Sequence, residues 1–392
     1  MKKGLVGLAL AAASSATYAQ STVTLYGIVD EGILMNFNAN GKHQYAMSSG
    51  GAQGNRWGLF GSEDLGGGLK AVFRLENGFD PSTGALNQGG RGFGRQAYVG
   101  LGNRFGTVTL GRQVNADADL VCYLNMACQL GYSTAHPGDL DNLNNTNRIN
   151  NAIKFSSQSF AGTQFMGLYS IGGVAGNATQ NQIWSLAAKY ANGPMTLAAG
   201  YTNARNPNMS LWGGNANVST TVASGTSFMT SPVYSGFTSA HSYQSISAGG
   251  SYVLGAATLS AVYSNTQFQN LGDLNSGPNR SGYTGNATFN NVEANINYKV
   301  TPSFSLLGAY DYLTRGSVST RTGQVGSAHY QQVSLGADYF LSKRTDLYFI
   351  GVFQKASGTD SRNAPAVASI NLLTPSSNDR QSALRVGIRH RF

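Results

Sequence analysis

Arg385, Arg389 and Arg391 fall on one face of the final nine residues when these are read as a strand, because strand side chains alternate with period two. Leu384, Val386, Ile388 and the terminal Phe392 fall on the other. Guanidinium groups stay charged, so the first face needs water or anionic partners. The second needs an apolar surrounding. A soluble sandwich also alternates, but its outer face rarely needs three arginines so close together. A wall between lipid and an aqueous lumen accounts for both faces. The chemistry on offer is electrostatic: fixed charges that sort ions by sign.

Acidic groups collect elsewhere. Residues 114–147 carry Asp117, Asp119, Asp139 and Asp141, the last two after an Ala135-His136-Pro137-Gly138 turn. These carboxylates can oppose a basic wall, stay solvated or bind calcium, although no EF-hand spacing is present. None of the five histidines (His43, His136, His241, His329 and His390) sits beside a Gly-x-Ser-x-Gly elbow or in a His-Glu-x-x-His motif. Hydrolytic chemistry is therefore not indicated, and no metal or cofactor site is assigned. Cys122 and Cys128 are the only cysteines. In an oxidising compartment such a pair closes into a disulfide, and two thiolates do not complete a metal site. So small a ring constrains the unfolded chain by about 2 kcal/mol in the entropic account.

Export and composition bound the elements that must hold these groups. Lys2 and Lys3, the apolar stretch from Leu5 to Ala13, and Thr17-Tyr18-Ala19 have the three parts of a secretory signal peptide over residues 1–19. The mature chain, residues 20–392, is expected to begin at Gln20, beyond the inner membrane, with no plug domain before its first strand. No segment reaches the ~18 apolar residues of a membrane-spanning helix. Charged residues are 11% of the chain, against roughly 25% in ordinary soluble domains. Glycine (51) and tyrosine (20) are abundant. The net charge is +9, to which the two signal-peptide lysines contribute two, leaving +7. That excess suits acidic lipid headgroups or an anion-attracting lumen, and export argues against nucleic acid.

Alternating segments recur throughout. Val23, Leu25 and Val29 oppose Thr24, Tyr26 and Asp30; Leu69, Ala71, Phe73 and Leu75 oppose Lys70, Arg74 and Glu76. Trp184, Leu186, Ala188 and Tyr190 oppose Ser185 and Lys189, and Val292 to Tyr298 repeats the pattern against Glu293 to Lys299. Short turns are expected at 64–68, 102–106, 157–162, 191–194, 254–256, 300–303 and 342–345. Longer polar connections are expected near 36–42, 80–92, 114–147, 172–182, 204–240, 268–287, 316–327 and 355–380. Together they join sixteen strands, the last able to pair with the first, as lipid demands of a sheet with no free edge. Aromatics near strand ends (Tyr26, Trp57, Phe79, Tyr98, Phe165, Tyr190, Tyr201, Tyr252, Tyr298, Phe340, Tyr348 and Phe392) are expected to form interfacial girdles.

Several segments then resemble the general porins of Gram-negative outer membranes, most closely the betaproteobacterial type. They are Thr24-Leu25-Tyr26-Gly27, the run from Arg56-Trp57-Gly58 to Asp64-Leu65-Gly66, and Tyr98-Val99-Gly100-Leu101. Phe105-Gly106, Leu110-Gly111-Arg112-Gln113, Asp141 to Asn145, Arg148 to Asn151 and the terminal Phe392 complete the set. The resemblance implies an all-β, 16-stranded antiparallel transmembrane β-barrel whose third long loop, 114–147, folds into the lumen as a constriction. It also implies a homotrimer surrounded by outer-membrane lipid and lipopolysaccharide. By position it implies a basic ladder of Arg56, Arg112 and Arg148 facing acidic groups on the loop.

Alternation places Arg56 inward, opposite Trp57 and Leu59, and Arg148 inward, opposite Ile149, Ile153 and Phe155. Arg112 shares parity with Val108 and Leu110, which needs a bulge or a reversed face. Lys70 and Arg74 join the inward face by alternation, with Glu76 as a local partner. A Pro-Glu-Phe-Gly-Gly loop tip, common among relatives, is missing. The expected function is passive diffusion of small hydrophilic solutes and ions with weak anion preference. A ligand-specific sugar or organic-anion channel is the alternative, and would need a stripe of inward aromatics.

Overall fold

The computed structural model describes residues 22–214 and 226–392; the expected signal peptide lies outside them. Nineteen strands run in chain order through those residues: β1 Thr22–Ala39, β2 Lys42–Ser49, β3 Arg56–Gly66, β4 Leu69–Gly78, β5 Gln96–Gly102, β6 Gly106–Gln113 and β7 Ile149–Ser157. Then follow β8 Thr163–Ser170, β9 Ile183–Asn192, β10 Met195–Arg205, β11 Ala240–Leu254, β12 Ala257–Leu271 and β13 Gly285–Thr301. The last are β14 Phe304–Arg315, β15 Val318–Thr320, β16 Gly323–Val325, β17 Ala328–Phe340, β18 Thr345–Gly358 and β19 Arg380–Arg391. β15 and β16 form a separate hairpin in one loop. β2 and β3 pair with successive halves of β1 and so make one stave. The wall is thus a closed cylinder of sixteen antiparallel staves, sealed where β1 pairs β19. Gly27 and Phe392 exchange both backbone hydrogen bonds at 3.0 Å across that seam.

Alternation becomes two faces. On β19, Val386 is 57% exposed on the outer wall, while Arg385 is 3% exposed inside. Leu186, Ile246, Val292, Leu306 and Leu335 are likewise exposed outward. Three of the expected girdle aromatics turn inward instead. Tyr26 and Tyr98 line lumenal cavities, and Tyr348 is buried against Asp30 and Arg385. Each sits on the polar parity of its strand, which outweighs any interfacial preference.

The seven short turns lie where alternation breaks in the sequence. The first connection differs from expectation. β1 runs to Ala39 and turns tightly at Asn40-Gly41, both at positive φ (50° and 86°), the pairing that a two-residue hairpin favours. The irregular stretch comes later, at residues 50–55, where the Gly50-Gly51-Ala52 segment leaves the wall between β2 and β3.

The third long loop fills the barrel's interior. It begins with α1 (Ala116–Val121), continues through α2 (Met126–Gln129) and ends before β7. Its partners are all on the face opposite the lipid-facing residues. Ser185 Oγ accepts from Ala116 N at 2.9 Å, Tyr243 Oη donates to Leu140 O at 2.8 Å and Gln332 Nε2 donates to Ala135 O at 3.0 Å. Two glycines allow the close approach. A side chain at Gly200 on β10 would meet Asp117, and Gly131, at φ 144°, lies against the backbone of Gly51. Above the loop, Tyr243, Phe268 and Phe289 of the wall pack around Trp212, Phe237 and Tyr283. One side of the barrel is therefore plugged, and the open path runs beside β1, β3 and β4.

Candidate functional site

The open path is a cavity of about 810 Å³, lined by Arg56, Arg74, Arg95 and Arg148 together with Glu76, Asp80 and Asp119. A second cavity of about 410 Å³ continues it past Phe60, Arg74, Tyr98, Asp119 and Lys154. The four arginines come from β3, β4, the loop before β5 and the end of the third long loop. They converge because β1–β7 curve around one side of the lumen while the loop occupies the other.

Pairing divides the charges into two groups. Glu76 accepts from Arg95 Nε at 2.8 Å and from Tyr26 Oη at 2.7 Å. Asp119 is bonded to Lys154 Nζ. By contrast, Arg56 Nε donates to Gly54 O at 3.1 Å and Arg148 Nη1 to Thr146 O at 3.2 Å. Arg74 lies 5.5 Å from the Tyr26 ring centre and 5.8 Å from that of Phe60. Among the described residues, these three arginines have no carboxylate ion pair. Burial and then the Arg95 charge push Arg148 well below the usual guanidinium range. A guanidinium starts so high that it remains charged.

Several expectations are corrected here. Glu76 serves Arg95 and Tyr26 rather than Lys70 or Arg74, because those two groups reach its oxygens first. Lys70 is exposed beside the short turn after β3 and lines neither cavity. Arg112 keeps the parity of Val108 and Leu110, both exposed on the outer wall, and donates to Gly94 O at 2.8 Å and Asn150 Oδ1 at 2.5 Å. The register shift between Gly111 and Gln113 has its extra residue on β7, opposite Arg112, and so leaves the parity of Arg112 on β6 unchanged. That same register shift separates Arg148 from Ile153 and Phe155, so Arg148 reaches the cavity from the loop end and not by strand parity.

Of the four loop aspartates, Asp119 alone lines the cavities; Asp117, Asp139 and Asp141 are buried against the wall or within the loop. Arg95 was invisible to alternation because it lies in a loop. Lys154 was legible, since it alternates with Ile153 and Phe155. The terminal arginines face inward but are neutralised: Arg385 pairs with Asp30 at 3.3 Å, Arg389 with Asp346 at 2.8 Å and Arg391 with Asp346 at 2.9 Å.

The buried loop carboxylates hold the constriction in place. Asp117 Oδ1 accepts from Thr202 Oγ1 at 2.9 Å and Ala118 N at 3.0 Å, while Oδ2 has no partner. Burial pushes its carboxyl up to about 7. Burial and then the Asp141 charge do the same to Asp139. Burial alone would lower His136, but Asp141 and Asp311 outweigh it and hold the imidazole well above its ordinary value.

Asp117 ionises near 3.8 when free and near 7 when docked. Docking of the loop is therefore strongest below pH 4 and weakens as pH rises towards 7, by at most about 4 kcal/mol. Above that it is constant. Open-channel noise should rise between pH 4 and 7, and Asp117→Asn should reduce that rise, the remainder coming from Asp139; an unchanged pH profile in the variant would refute the assignment.

Cys122 and Cys128 are joined by a disulfide, with Cα atoms 5.7 Å apart, and both line the larger cavity. Between them Tyr123 is 73% exposed. Reduction should loosen this segment by about 2 kcal/mol, raising current noise while leaving the barrel's β-sheet circular dichroism unchanged. Two free thiols in native protein, read by mass spectrometry, would contradict this.

Comparison with known proteins agrees with the architecture. A family model described as Gram-negative porin matches residues 7–316. An outer membrane porin protein of Bordetella pertussis is 30% identical, covering 100% of both chains. Outer membrane porin protein 32 of Delftia acidovorans is 29% identical with the same coverage. Among solved structures, the anion-selective porin from Comamonas acidovorans superposes with a TM-score of 0.70 at 23% identity, over 95% of this chain and 100% of its own. OmpT of Vibrio cholerae in its trimer form gives 0.63 at 15% identity, over 95% and 99%. A closed sixteen-stave wall, an inward third loop and an arginine-lined lumen, joined to full-length similarity, place this chain in the Gram-negative porin family of the outer membrane.

Proposed function

We propose that the barrel is a passive, weakly anion-selective diffusion channel for small hydrophilic solutes and ions, assembled as a homotrimer after removal of residues 1–19. One observation carries the sign of selectivity. Arg56, Arg74 and Arg148 line the cavity without ion-paired carboxylates, whereas Glu76 and Asp119 are each neutralised by a cation, which among the described residues leaves Asp80 as the one lining carboxylate outside an ion pair against three such arginines. Fixed positive charge beside a low-dielectric wall raises the local anion concentration without holding any one solute tightly. The trimer form solved for OmpT supports the assembly. Exposed Val, Leu and Tyr side chains of the outer wall support contact with lipid and lipopolysaccharide.

A second reading, a channel for a particular sugar or organic anion, is favoured by Tyr26 and Phe60 flanking Arg74. Single-channel recording of the purified protein separates the two. Conductance steps in threes that rise linearly with salt support the general channel. Saturation, or block by one solute class at low concentration, supports the second reading, and a silent bilayer removes both.

A further inference from the structure

His136, Glu293 and Asp311 meet beneath the tip of the third loop, on three segments far apart in the chain, and all three are buried. His136 Nδ1 lies 2.6 Å from Asp141 Oδ2, which in turn accepts from Ser264 Oγ at 2.6 Å. That contact directs Nε2 of the ring at the two wall carboxylates. Nε2 is 3.3 Å from Glu293 Oε2 and 3.6 Å from Asp311 Oδ2, yet it makes no hydrogen bond to either. Glu293 Oε1 is occupied by Met126 N at 2.8 Å and Asn295 Nδ2 at 2.6 Å, leaving Oε2 without a partner. Asp311 Oδ1 and Asn291 Oδ1 are also buried and unpartnered. Asp311 Oδ2 itself accepts from Asn291 Nδ2 at 2.7 Å, so the two unpartnered atoms that face each other in this buried cluster are His136 Nε2 and Glu293 Oε2.

We propose that this cluster is a structural site for a divalent transition ion of the zinc type, ligated by His136 Nε2, Glu293 Oε2 and Asp311 and joining the constriction loop to the barrel wall. The spacing fits. Four ligands at zinc bond lengths of about 2.0–2.2 Å stand about 3.3–3.6 Å apart in a tetrahedron, which is the separation of Nε2 from both carboxylates. Asp141 supplies the outer carboxylate that commonly fixes the tautomer and orientation of a metal-bound histidine. A water would complete a four-coordinate set. An imidazolium would satisfy the charges, but its Nε2 proton has no acceptor in hydrogen-bonding geometry. When the ion enters, that proton leaves to solvent, and the ion takes the lone pair of Nε2. The ligands come together only when the loop is laid against the wall, so the ion is captured during folding.

The test uses the full mature chain without a histidine tag, refolded into detergent with zinc, or with cobalt as a spectroscopic probe, and then dialysed. One zinc per chain is expected by elemental analysis, with the strong visible absorption of four-coordinate cobalt in the cobalt-loaded sample. His136→Ala and Glu293→Gln should each lose most of the bound metal; Glu293→Gln keeps its shape and guards against a folding failure in the other. Wild-type protein that retains less than a tenth of an equivalent would overturn the proposal, leaving an imidazolium ion pair only. So would variants that fold and bind as much as wild type.

Discussion

In a potassium chloride gradient the wild-type channel is expected to pass chloride ahead of potassium, and Arg56→Ser combined with Arg148→Ser to remove that preference. Both side chains line the larger cavity and donate to backbone carbonyls instead of carboxylates. Removing them leaves Arg74 against Asp80 as the lining charges outside ion pairs. A unit charge ~10 Å from the permeating ion contributes about 0.4 kcal/mol in water, which changes the anion-to-cation ratio about fourfold. Screening at 0.1 M salt reduces this to roughly twofold. Each single substitution should therefore shift the reversal potential part of the way, and the double one should bring it close to zero. The shorter side chains should also raise conductance. Arg112→Ser, on the outer parity, should change neither quantity. If the wild-type channel favours potassium, or the double variant keeps the wild-type reversal potential, then the lining carboxylates Asp80, Asp119 and Glu76 govern the field.

Asp30→Ala should cause a large loss of stability. Asp30 Oδ2 accepts from Ala52 N at 2.9 Å and Gln53 N at 2.7 Å, and Oδ1 from Tyr348 Oη at 2.5 Å. Arg385 completes its shell at 3.3 Å. This one carboxylate folds residues 50–55 inward, and Gly51 O then accepts from Tyr132 N of the constriction loop at 3.3 Å. Removing it strands a buried guanidinium and two backbone donors, at a cost of about 3–5 kcal/mol. The urea midpoint of the detergent-folded barrel should fall accordingly, and the loop tip should become susceptible to protease. Asp30→Asn, which keeps one acceptor oxygen, should lose less. Equal midpoints for Asp30→Ala and wild type would show that the lumen is wet enough there to replace the carboxylate.

Much of the wall was legible in the sequence because a strand with lipid on one side and water on the other must write its environment every second residue. The seven short turns, the seam between β1 and β19 and the inward face of Arg56, Arg74 and the terminal arginines all follow from that period. Alternation failed where the backbone departs from it. The bulge opposite Arg112 and the excursion at 50–55 shift parity without changing composition, and Arg95 lies in a loop where parity has no meaning. The loop aspartates illustrate the same limit. Their number suggested an acidic rim, yet three of the four turn into protein.

The period-two pattern and the spacing of its interruptions, by themselves, determined a closed sixteen-stranded wall with a charged interior, because each strand's faces are decided locally by their two solvents. Which charges act on a permeating ion was decided only by the tertiary structure. An arginine's field depends on whether a carboxylate from another segment lies within about 4 Å; Glu76 with Arg95 and Asp346 with Arg389 are brought together by the register of neighbouring strands, and Asp119 with Lys154 by burial of the loop, rather than by any spacing along the chain.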